Sequence, residues 1–183
     1  MKIALAQFFV KETGEENLAV VKDFIDRAYA AGAKLLVLPE GIIARKPGFG
    51  SWSRDHAETL DGSFVTGLVK ATEGKDIAVV GTVHIRVPGE TRVHNDLIVA
   101  RNGKLELVYT KLHLYDAFKA KESDNVKPGD TVPTLVKIGP FTAGFITCYD
   151  VRFPELARRL TADGADLLVL PAAWVKGPLK EMH

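Results

Sequence analysis

Hydrophobic positions along this chain change period several times, and each change marks an element. Lys2 to Phe9 is a short, mostly apolar run that predicts a buried strand. From Gly14 to Ala31, apolar residues recur at Leu18, Val21, Ile25 and Ala28 with charges between them, the stripe of an amphipathic helix that Gly32 ends. Leu35-Leu36-Val37-Leu38 is continuously apolar, as in a strand covered on both faces, and it stops at Pro39-Glu40-Gly41. Strand, helix, strand predicts a parallel pair with a right-handed crossover. Residues 42–60, with Pro47, Gly48 and Gly50, predict a loop-rich lid or rim. A helix is expected over Ser63–Thr72, then strands at 76–86, 94–101 and 104–111. Asn102-Gly103 between the last two is a two-residue hairpin signal. Residues 115–132 are polar and irregular, turning at Pro128-Gly129-Asp130. Strands at 134–138 and 141–147, a helix at 154–162 and a strand at 167–170 complete the pattern.

The pattern repeats. Gly32-Ala33-Lys34-Leu35-Leu36-Val37-Leu38-Pro39 reappears as Gly164-Ala165-Asp166-Leu167-Leu168-Val169-Leu170-Pro171, each copy preceded by a strand and a helix. Two related halves packed about a pseudo-twofold axis are expected. The first copy continues from Pro39 through a helix, a strand and a hairpin to Thr110, whereas the second reaches His183 twelve residues after Pro171. The second half is therefore expected to be incomplete, leaving an apolar face uncovered and favouring self-association.

Composition narrows the class. The chain has 183 residues, 46% of them hydrophobic, with a formal net charge of +1. That fits one globular α/β domain over residues 1–183, without the basic footprint that nucleic acid or an anionic membrane would need. No apolar run reaches transmembrane length, and Lys11, Glu12, Glu15 and Glu16 follow the N-terminal run too soon for a signal peptide. A single cysteine rules out an internal disulfide framework and suits a reducing cytoplasm.

That cysteine is the main chemical candidate. Cys148 ends an apolar strand and precedes a turn and the helix-forming run Pro154 to Leu160. Free N–H groups in such a turn can bind an oxyanion, and the positive end of a helix favours a thiolate. A lone cysteine can equally be a buried apolar side chain, so partners decide. In parallel α/β sheets, active sites lie at the carboxyl ends of strands. Glu40 and Lys111 occupy such ends, giving with Cys148 a carboxylate, an ammonium and a thiol. Each alone reads as an ordinary exposed charge; together they form base, oxyanion stabiliser and nucleophile for acyl transfer. His113, two residues beyond Lys111, offers a competing Cys–His arrangement with both side chains on one face of an extended segment. His84 and His94 read as strand histidines without metal-ligand spacing, and Arg152, Arg158 and Arg159 as a solvated helix face. A non-catalytic remnant that keeps the motif residues is the third reading.

Three segments carry a resemblance: Leu38-Pro39-Glu40, Tyr109-Thr110-Lys111-Leu112-His113-Leu114-Tyr115-Asp116, and Cys148-Tyr149-Asp150-Val151-Arg152-Phe153-Pro154-Glu155. In order and spacing the chain resembles the nitrilase, or carbon–nitrogen hydrolase, superfamily. With Phe118-Lys119-Ala120-Lys121-Glu122-Ser123, the middle segment looks like the amidase branch acting on deaminated glutathione or ω-amides. The resemblance implies a four-layer α-β-β-α sandwich with an internal pseudo-twofold, here lacking its C-terminal part, and assembly as a homodimer or larger. It implies that Cys148 attacks a small-molecule amide to form a thioester, with Glu40 as base and acid. Lys111 and the backbone N–H of Tyr149 would hold the oxyanion, and Glu122 would position Lys111. Neither metal nor organic cofactor is implied.

Overall fold

The computed structural model describes residues 1–48, 50–117 and 120–174. The expectations for Phe118 and Lys119 lie outside the described residues. Two sheets are present. The larger joins β1 (Ile3–Leu5), β2 (Leu35–Val37), β3 (Ala78–Arg86), β4 (Val93–Arg101) and β5 (Lys104–Thr110) in that order. Its first three strands are parallel and its last two antiparallel. The smaller joins β6 (Val136–Ile138), β7 (Phe141–Phe145) and β8 (Leu167–Val169), with β7 and β8 parallel.

The expected crossovers form. α1 (Gly14–Ala30) links β1 to β2, capped by Thr13, whose hydroxyl accepts from the Glu16 N–H. Its buried stripe is Asn17, Val21, Ile25 and Ala28. Asn17 replaces water there by donating to the carbonyls of Lys11, Thr13 and Ile43. The rim segment contains one short helix, α2 (Trp52–Asp55), and α3 (Ser63–Ala71) follows it. Asn102 and Gly103 both take positive φ, 48° and 74°, as a tight hairpin turn requires. In the second copy α4 (Pro154–Ala162) links β7 to β8.

Two apolar clusters define the layers. One packs Val21, Ile25, Phe64 and Leu68 of α1 and α3 against Leu36, Val79, Val83 and Ile98 of the larger sheet. The other fills the space between the sheets with Leu35, Val80, Leu97, Val99, Ala143, Phe145 and Val169, and reaches Leu156 and Leu160 of α4. The order is helices, sheet, sheet, helix, the expected four-layer α-β-β-α arrangement. Among the described residues the sheets are unequal, five strands against three. Ile3 and Leu5 align with Leu35 and Val37 on the inter-sheet side, yet are 40% and 78% exposed. Among the described residues no helix is long and apolar enough to cross a membrane.

Candidate active site

The two copies of the repeat meet at their Pro-ended turns. The Glu40 N–H donates to the Ala172 carbonyl at 3.4 Å, and the Cys148 N–H donates to the Pro171 carbonyl at 2.9 Å. Gly41 makes the turn after β2 possible. Its φ is +68°, and a Cβ there would lie 3.0 Å from Arg45 Nη2 and 3.2 Å from His84 Cε1. The Gly41 N–H is held by Thr82 Oγ1 of β3 at 2.8 Å. Glu40 is thereby fixed just beyond the end of β2, pointing toward the second half.

Four of the residues singled out from the sequence come together. Glu40 Oε1 accepts from Lys111 Nζ at 3.0 Å and from Asn95 Nδ2 at 2.9 Å. Glu40 Oε2 accepts from the Ala173 N–H at 3.1 Å, and the Cys148 thiol also donates to this carboxylate. Lys111 Nζ reaches Glu122 as well, at 3.2 and 2.9 Å from its two oxygens. Glu122 Oε2 is fixed in turn by the Tyr115 N–H at 2.7 Å. The result is a buried chain of thiol, carboxylate, ammonium and carboxylate.

Electrostatics set the resting protonation. Burial pushes the Glu40 pKa up, but the Lys111 charge and the hydrogen bonds from Cys148, Lys111 and Asn95 outweigh it, so Glu40 lies below 4.5. For Lys111, burial acts downward and the charges of Glu40 and Glu122 act upward more strongly. Cys148 is pushed up to about 12, first by burial, then by the Glu40 charge, against the opposing pull of Lys111. This corrects the expectation of a thiolate favoured by a helix end; Lys111 does act toward the thiolate but is outweighed. The turn after Cys148 is a 3₁₀ segment, Cys148–Arg152, and α4 starts only at Pro154. The resting pair is a neutral thiol hydrogen-bonded to an ionised carboxylate.

Cys148 has φ of +44°, a left-handed conformation that costs a non-glycine residue about 1–3 kcal/mol. The turn around it is tied down by Asp150. Asp150 Oδ2 accepts from the Thr147 N–H at 2.9 Å and from the Tyr109 hydroxyl at 2.8 Å. Asp150 Oδ1 accepts from the His113 N–H at 2.9 Å and pairs with His113 Nδ1 at 2.8 Å. The His113 ring stacks on Phe153, 3.8 Å between centroids. Lys111 and His113 therefore turn to different partners, which corrects the expectation of a shared face. Tyr149, the candidate oxyanion residue, is wedged edge-on between the rings of Tyr115 and Phe153.

Asn95 and Asp150 were not assigned roles from the sequence. Asn95 sits in the polar stretch His94-Asn95-Asp96 ahead of the apolar run 97–100, so the sequence does not single it out; its burial and its bond to Glu40 do. Among the described residues no group of three or more His, Cys, Asp or Glu side chains is placed to hold a metal ion.

Comparison with known proteins gives a consistent result. The family profile described as carbon-nitrogen hydrolase matches residues 2–183. Deaminated glutathione amidase of Escherichia coli O157:H7 is 38% identical over 184 residues, which cover 100% of this chain and 70% of that protein. The deaminated glutathione amidase of Dictyostelium discoideum is 31% identical, with 96% of this chain and 64% of that protein covered. Among solved structures, Nit3 of Saccharomyces cerevisiae, a member of branch 10 of the nitrilase superfamily, superposes with a TM-score of 0.79 at 28% identity. That match covers 94% of this chain and 64% of the yeast protein.

Proposed function

The chain belongs to the carbon–nitrogen hydrolase family, and on that premise we propose that it hydrolyses a small-molecule amide through a thioester on Cys148. The observation that carries this reading is the Glu40 carboxylate, bonded at once to the Cys148 thiol and to Lys111 Nζ. A base must lie within hydrogen-bond reach of the proton it takes, and Glu40 does. Because the thiol rests neutral, attack begins with transfer of its proton to Glu40 as sulfur bonds to the amide carbon. The carbonyl oxygen becomes an oxyanion, held by the Lys111 ammonium and the Tyr149 N–H. The Cys148 N–H is already engaged with Pro171, which leaves the next amide as the backbone donor. Collapse of the intermediate breaks the C–N bond, and Glu40 returns the proton to the departing ammonia. Glu40 then takes a proton from water, which attacks the thioester and releases the acid and the free thiol. Glu122 takes no proton in this sequence; it keeps Lys111 charged and pointed at the reacting carbonyl.

The substrate class is a deaminated glutathione or related ω-amide. Support comes from two relatives that carry the name deaminated glutathione amidase. The test is ammonia release from a panel of ω-amides by the parent chain and by Cys148→Ala, with intact-mass spectrometry to trap an acyl adduct. The parent should release ammonia and carry the adduct; Cys148→Ala should lose activity by about a thousandfold or more, with its melting curve unchanged. A variant that keeps a tenth of the activity would remove Cys148 from the mechanism.

A further inference from the structure

A cavity of about 460 Å³ lies at the same end of the larger sheet, where the β3–β4 hairpin turns, and none of its lining residues belongs to the Cys148 cluster. Arg54, Arg86 and Arg92 line it, together with Asp55, Glu90 and Thr91. The local sequence explains the gathering. Arg86 closes β3 and pairs in the ladder with Val93, so Arg92 comes up beside it at the base of the hairpin. Arg54 arrives from α2.

Three arginines against two carboxylates leave the lining of this cavity with an excess of positive charge. Asp55 Oδ1 already accepts from Arg54 Nε at 3.0 Å and Nη2 at 2.9 Å. Glu90 is taken by Lys127 Nζ at 2.7 Å. Arg86 spends one donor, Nη2, on the Asp55 carbonyl at 3.1 Å, and Arg92 spends Nη1 on the Ser123 carbonyl at 3.3 Å. Among the described residues no carboxylate is hydrogen-bonded to either arginine, and the Glu90 carboxylate, bound to Lys127, feels the Arg92 charge only at longer range. Each guanidinium therefore keeps open donors in the fork geometry that takes a carboxylate two-pronged. Two such forks around one cavity suit a ligand with at least two carboxylates. A volume within the range of small-ligand pockets, about 300–1,000 Å³, exceeds what a single inorganic ion fills.

We propose that the cavity bounded by Arg54, Arg86 and Arg92 binds a small organic polycarboxylate. The site stands independently of the amide chemistry at Cys148, so its test needs no turnover. Citrate is titrated calorimetrically into the full chain at low ionic strength, with acetate and inorganic phosphate as comparison anions. Saturable one-to-one citrate binding is expected, about tenfold or more tighter than either comparison anion, and weakening as salt is added. Arg86→Gln should weaken it by about tenfold, as should Arg92→Lys, which keeps the charge and loses the fork. Arg158→Gln, on the far helix α4, should leave it unchanged. Absence of saturable citrate binding, equal affinity for phosphate, or unchanged affinity in Arg86→Gln would each overturn the assignment. Arg86 is exposed, so its variant tests the site without threatening the fold.

Discussion

At the scale of the residue, Glu40 stays ionised because four donors surround a carboxylate that burial alone would neutralise. The acid limb of kcat/KM should accordingly fall below pH 4.5, where Glu40 takes up a proton, with no limb near 6.5. His113→Asn should then retain most activity while Glu40→Gln loses nearly all of it; steady-state pH profiles of both variants decide between a carboxylate and an imidazole base. His84 gives a second prediction. Burial first of all, with Arg45 and Lys111 acting in the same direction, lowers its pKa from 6.5 to about 4, against the pull of Glu40. Between those values the unfolded chain binds a proton that the folded chain refuses, so stability falls as pH drops through that window. The His84 share of the loss between pH 7 and 4.5 should be roughly 2 kcal/mol, and urea unfolding of His84→Gln should show a correspondingly flatter pH dependence. Glu40, Lys111 and Cys148 were legible in the sequence because each is a polar residue just past an apolar strand. The charge on the thiol was not legible, since it depends on a carboxylate 108 positions earlier in the chain coming within hydrogen-bond reach.

At the scale of the element, long periodic segments were readable and short ones were not. The seventeen-residue α1 and nine-residue β3 and β4 appear close to their expected bounds, because several turns or alternations average out local noise. The four residues of α2 and the five of the 3₁₀ turn at Cys148 are too short to show a period. Residues 2–9 read as one strand, yet only Ile3–Leu5 pair with β2. The Asp150 network joins two such elements, the segment after β5 and the turn after β7, and no local pattern announces it. Asp150→Ala should leave the Tyr109 hydroxyl, the Thr147 and His113 N–H groups and the His113 ring without their acceptor. Such a loss typically costs about 3–5 kcal/mol, measurable as a lower urea midpoint with an unchanged slope.

At the scale of the whole molecule, the inequality of the sheets matters most. The apolar inter-sheet face extends to β1, which is an edge strand, and Ile3 and Leu5 remain open there. An apolar patch beside unpaired strand groups favours association. In the 183-residue chain this patch should bind a hydrophobic dye and promote association, and Leu5→Lys should lower dye binding and shift sedimentation toward monomer while barely changing the melting temperature. The repeat made the two halves legible in the sequence, but not the seam between them. That seam, where Ala172 and Ala173 of the second copy touch Glu40 of the first, gives the molecule the logic of an AND gate. On the proposed mechanism one copy of the strand–helix–strand unit supplies the proton acceptor and the other supplies the sulfur, so neither copy alone holds a working pair. Activity regained during refolding should therefore lag any signal that reports either copy alone and coincide with one that reports contact between Glu40 and Ala173.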